Sequence, residues 1–132
     1  MTPSRRAAAY LVAVLLTGAA AGADEADRPE ILHVAVPRGV VAGRAAQARL
    51  TYHAPRGNIV AVVQVVEDLE GARRVTTQRE IGVIAAAFGR EEGDLLVPLA
   101  FATAGRKRVV LTLLTDEREE SEPASIEIEV LP

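Results

Sequence analysis

Ala46-Gln47-Ala48-Arg49-Leu50-Thr51-Tyr52-His53 sets Ala48, Leu50 and Tyr52 against Gln47, Arg49, Thr51 and His53, a clean period of two. That period sends successive side chains to opposite faces of an extended strand, one apolar and one polar. The alternation returns near the far end of the chain, where Ile126, Ile128 and Val130 interleave with Glu127 and Glu129 in the run Ser125 to Leu131. Between these two, Ile59 to Val66 is nearly all β-branched, which predicts a central strand buried on both faces.

Working outward, short β-rich runs recur about every ten residues between turn-forming clusters, the rhythm of an antiparallel sandwich or barrel. Ile31 to Val36 stops at Pro37-Arg38-Gly39, and Ala54-Pro55-Arg56-Gly57-Asn58 separates the second run from the third. Glu67 to Gly71 turns the chain into Ala72 to Arg79. Gly89 to Gly93 precedes Asp94 to Ala102, whose Pro98 cannot donate to a ladder and so marks an edge or a bulge. Thr103-Ala104-Gly105 leads into Lys107 to Thr115, and the acidic loop Asp116 to Pro123 into the last run. Ile81 to Phe88 is open among helix, strand and a lid, because Ala85 to Ala87 suits any of them.

Seven strands in this rhythm resemble an immunoglobulin-like or fibronectin type III-like β-sandwich of bacterial secreted proteins. The resemblance spans residues 31–132 and rests on strand number and spacing. The Trp, the cysteine pair and the tyrosine corner of immunoglobulin domains are absent. The expected fold is therefore an all-β, seven-stranded antiparallel sandwich, and such a likeness carries no functional residue with it.

Ahead of that domain, Arg5 and Arg6 precede an apolar run from Ala7 to Leu16, and Ala21-Gly22-Ala23 stands before Asp24-Glu25. A basic start, a short apolar stretch and small residues at a cleavage point describe a signal peptide over 1–23, followed by a charged leader over 24–30. Loss of the leader takes Arg5 and Arg6 with it and moves the net charge from −3 to −5. That sign argues against nucleic acid and anionic membrane as partners. Arg-rich, Ala- and Val-rich composition suggests a GC-rich bacterial source, which makes the expected location periplasmic or secreted. With no cysteine there is no disulfide framework, no lipid-anchored cysteine and no thiolate chemistry.

Catalysis is not expected. Past the leader the only serines are Ser121 and Ser125, in or beside an acidic loop that would raise rather than lower a hydroxyl's pKa. No nucleophile elbow, phosphate loop or zinc-protease motif occurs. Nor are the aromatics of a sugar-binding face present, since only Tyr52, Phe88 and Phe101 remain past the leader. No cofactor is implied.

The expected function is a non-catalytic module that binds another protein, of unknown identity, with no membrane insertion once the leader is gone. Two surfaces are candidates. If Ile59, Ala61, Val63 and Val65 fill the core, Val60, Val62 and Val66 turn outward with Gln64, and join Val110 and Leu114 of a neighbouring sixth strand in one apolar patch. A lid formed by 81–88 is the competing reading of that face. The second surface is the acidic loop, carried by Asp116, Glu117, Glu119 and Glu120. Up-and-down threading places the loops 54–58, 80–93 and 116–123 at one acidic end, with Arg38, Arg44, Arg106 and Lys107 at the other. The alternative is a periplasmic metal-binding protein, holding calcium in the acidic loop or a transition metal between His33, His53 and Glu30.

Overall fold

The computed structural model describes residues 10–14, 27–70, 76–82 and 88–132. They form strands β1 (Tyr10–Val14), β2 (Glu30–Pro37), β3 (Ala46–His53), β4 (Ile59–Asp68), β5 (Thr76–Gly82), β6 (Glu92–Leu99), β7 (Gly105–Thr115) and β8 (Ala124–Val130). The protein is all-β. Two antiparallel sheets, ordered β1-β2-β3-β6 and β5-β4-β7-β8, enclose one core. Alternation decides what enters it: Ala48, Leu50 and Tyr52 from β3 face Val109, Leu111 and Leu113 from β7, all buried. Among the residues whose side chains are described, the core runs from Ile31 to Val130.

The seven strands expected over 31–131 are all present, with shifted ends. The third runs two residues further, to Asp68, because Asp68 stands opposite Lys107 and the ladder continues through what composition reads as a turn. The fourth occupies Thr76–Gly82; residues 71–75, the first part of the expected run, lie outside the described residues, as do 83–87 of the ambiguous stretch. Pro98 sits in β6, an edge strand, as its missing N–H requires. Of the expected leader, 1–9 and 15–23 lie outside the described residues, as do 24–26. Tyr10–Val14 runs antiparallel beside β2, with Tyr10 opposite Pro37 and Val14 opposite His33.

Two bulges reset the side-chain phase. Ile31 pairs with Tyr52 but His33 pairs with Thr51, so Leu32 is an extra residue in β2. Ile59 pairs with Thr115 but Ala61 pairs with Leu114, so Val60 is an extra residue in β4. A bulge sets two residues against one and thereby exchanges the faces of all that follows. Leu32, which strict alternation would group with the buried Val34 and Val36, is consequently 43% exposed.

At one end of the sandwich the loops lock together through backbone hydrogen bonds. Ala54 N–H donates to Glu91 C=O, Gly89 N–H to Gly57 C=O at 2.7 Å, and Asp116 N–H to Asn58 C=O at 3.1 Å. Gly57 is required here. Its φ is +59°, and a Cβ would stand 2.9 Å from the Gly89 carbonyl carbon.

Candidate functional site

The bulge at Val60 overturns the expected inward and outward sets of β4. Past it, Ala61, Val63 and Val65 share the outer face with their β7 partners Leu114, Thr112 and Val110. Val62, expected outside, is 2% exposed and belongs to the core, and Val66 packs against that core. Gln64 also points inward and is buried. Of the five apolar residues expected on the outer patch, only Val110 and Leu114 lie on that face past the bulge. Val60 is half-buried at the bulge itself. Val63 and Val65, which periodicity had assigned to the core, take the places of Val62 and Val66. Nor is β4 fully buried on both faces, since Val63 and Val65 are only half-buried outside while Val62 and Gln64 are buried inside.

The corrected outer face is continuous. Val65 stands opposite Val110, Val63 opposite Thr112, and Ala61 opposite Leu114, three adjacent rungs of one ladder. Its rim is polar: Gln78 and Glu80 of β5 flank Val65 and Val63, and Ser125 of β8 flanks Val110. Glu67 and Arg108 close one end with an ion pair of 3.4 Å. Towards the other end, Arg118 reaches Glu80 at 3.7 Å from the loop after β7, and Ala61 and Leu114 are buried there.

The acidic loop is largely committed to its own architecture. Arg56 Nη1 lies 2.8 Å from Glu117 Oε1 and its Nη2 3.4 Å from Asp27 Oδ2, while Asn58 donates to Asp116 Oδ1 at 2.9 Å. The hydrogen bond to Glu117, reinforced by the charge of Asp27, raises the Arg56 pKa further above its already high value. Arg28 approaches Glu122 at 3.8 Å and donates to the Glu120 carbonyl at 2.9 Å. The Thr115 hydroxyl accepts from Glu119 N–H at 3.0 Å, and Arg118 turns the chain with φ +62°. Of the four acidic residues expected to meet a partner, Asp116 and Glu117 thus have intramolecular partners. Glu119 and Glu120 form no ion pair among the described residues.

The opposite end is less basic than threading predicts. Lys107 is buried, 3.1 Å from Asp68 Oδ2 and 2.6 Å from the Thr103 hydroxyl. The backbone N–H of Glu70, and then the Lys107 ammonium, hold the Asp68 carboxyl below its usual range. Arg38 and Arg44 remain exposed there. Beside Lys107, a cleft of about 350 Å³ opens between the sheets, lined by Gln64, Asp68, Arg79 and Phe101 among others.

His33 and His53 both lie on the face of their sheet away from the core, on neighbouring rungs of that face rather than directly opposite each other. His53 pairs with Glu30 and His33 with Thr51. No three His, Asp or Glu side chains among the described residues come together in a way that could hold a metal ion. Ser121 is buried, its hydroxyl accepting from Leu113 N–H and donating to Glu122 C=O, each at 2.9 Å. The loop thereby carries on the β7–β8 pairing beyond its last rung, a structural use of that hydroxyl. Ser125 is exposed on the outer face.

No protein-family model matches this chain. No curated protein matches it either.

Proposed function

We propose that this chain is a non-catalytic, immunoglobulin-like binding module that meets another protein through the outer face of β5-β4-β7-β8. The observation that carries the proposal is the half-buried valine cluster Val63, Val65 and Val110, on adjacent strands and rimmed by Gln78, Glu80, Ser125 and Glu127. An apolar centre with a polar rim is the general anatomy of a protein-binding patch. The fibronectin type III-like assignment draws support from the strand order: β2-β3-β6 faces β5-β4-β7-β8, with the third and sixth strands of the domain, β4 and β7, side by side. A periplasmic or secreted location draws on the leader-like residues 1–23. The absence of catalysis draws on Ser121, whose hydroxyl is spent on Leu113 and Glu122.

The deciding experiment compares the wild type with the double variant Val63→Lys/Val110→Lys in pull-downs from a periplasmic extract. A protein captured by the wild type and lost from a variant that still folds supports the reading. Equal capture by both removes the outer face from consideration.

A further inference from the structure

Exposed sheet edges invite pairing with other chains, and proteins guard them with charge, proline or cover. Three edges here carry such guards. In β6, Pro98 interrupts the donors, and its carbonyl is taken by Gln64 Nε2 at 3.0 Å and Arg79 Nη2 at 3.2 Å. Along β5, Thr76 to Glu80 is wholly polar, with Arg79 and Glu80 adjacent. Along β8, Glu127 and Glu129 alternate down the strand. The fourth is β2, whose acid and proline, Glu30 and Pro37, stand only at its two ends, while Ile31-Leu32-His33-Val34-Ala35-Val36 between them holds neither acid, arginine, lysine nor proline. Among the described residues it is the one strand of the domain whose outer side is filled by a segment from outside residues 30–130, namely Tyr10–Val14.

From this we infer that the outer edge of β2 is a strand-docking site for an extended, uncharged apolar segment of about five residues supplied by a partner protein. Such a segment takes the place that Tyr-Leu-Val-Ala-Val holds in the full chain. The occupant's character is read from the segment seated there, and the site's length from its two ends. Pairing runs from His33 to Pro37. It stops at the Leu32 bulge on one side, where the ladder is disrupted, and at Pro37 on the other, which has no N–H to offer. Main-chain hydrogen bonds supply affinity in this mode and alternate side chains supply specificity. The occupant's residues opposite Val34 and Val36 fall on the core side of the sheet, so apolar side chains are selected there. Removal of residues 1–23 would vacate the edge, which makes the leader an internal competitor for the site. This surface is separate from the valine face of the other sheet.

The test uses the full-length chain and a fluorescent Tyr-Leu-Val-Ala-Val peptide flanked by lysines. Val12→Pro removes an N–H from the internal strand and fixes its φ at about −65°, and among the side chains the structure describes the core begins at Ile31. The variant is expected to bind the peptide at least tenfold more tightly than the wild type. A peptide N-methylated at alternate residues should lose that binding, and Val63→Lys added to the variant should leave it unchanged. A second variant with Gly-Ser-Gly-Ser-Gly over residues 10–14 repeats the measurement should Val12→Pro melt early. Equal binding by wild type and variants overturns the proposal, as does indifference to N-methylation. So does a vacated chain that dimerises and excludes the peptide, since the edge then belongs to a second copy.

Discussion

Arg79 Nε donates to Gln64 Oε1 at 3.1 Å, and both side chains then converge on the Pro98 carbonyl of the facing sheet. β5, β4 and β6 are thereby tied across the open side of the sandwich. A buried amide is tolerated because each of its atoms has a partner, and no buried side-chain nitrogen or oxygen among the described residues lacks one. Gln64→Leu keeps the volume but strands part of the Arg79 guanidinium and weakens the hold on Pro98. The expected cost is about 1–3 kcal/mol in urea unfolding.

Val62 and Val63 are neighbours with opposite fates. Val62→Lys buries a charge in the core and should abolish cooperative unfolding, while Val62→Ala should cost about 1–3 kcal/mol through the cavity it leaves. Val63→Lys, on the outer face, should change stability by less than about 1 kcal/mol. Thermal melts of the three variants check both halves, and a destabilised Val63→Lys beside a stable Val62→Lys would reverse the phase assigned to β4.

The Asp68–Lys107 pair makes stability depend on pH. Because the folded carboxyl has a lowered pKa, its contribution is complete above the unfolded value near 4 and is lost as pH falls through the folded value. Asp68→Asn removes the counter-charge from a buried ammonium, so the variant should be clearly less stable than wild type at pH 7. That difference should shrink once the pH drops below about 4, which denaturant titrations at pH 7, 4 and 2.5 would show.

Ser121 stitches the acidic loop to β7. Ser121→Ala leaves the Leu113 N–H without the acceptor it has at 2.9 Å, in a buried setting, and should cost about 1–3 kcal/mol. Hydrogen exchange at Leu113 should speed up while exchange in β3 changes little.

A ligand that binds only the folded form raises the melting temperature. With Asp116 and Glu117 already paired to Asn58 and Arg56, millimolar calcium should leave the melt unmoved. Micromolar zinc or copper should do the same, since His33 and His53 stand opposite Thr51 and Glu30 rather than each other. A rise of several degrees with any of the three would revive the metal-binding reading.

What the sequence determined by itself is the all-β class, the strand count over 31–131 and the phase of strands that mix polar with apolar residues. Ala46–His53 and Ala124–Val130 state their own inward faces, because burying Arg49 or Glu127 would cost far more than exposing it. Ile59-Val60-Ala61-Val62-Val63-Gln64-Val65-Val66 makes no such statement, since either face is apolar enough to bury. Its β-branched residues specify a strand and its alternation groups Val62, Gln64 and Val66 on one face, but not which face that is. Only the tertiary structure could choose, and it did so with one extra residue at Val60, placed by pairing to β7 far along the chain. The same holds for the partners of Gln64 and of Asp116, which lie in other strands and loops. Local pattern records whether a residue alternates; which face it ends on is decided by the strand it is laid against.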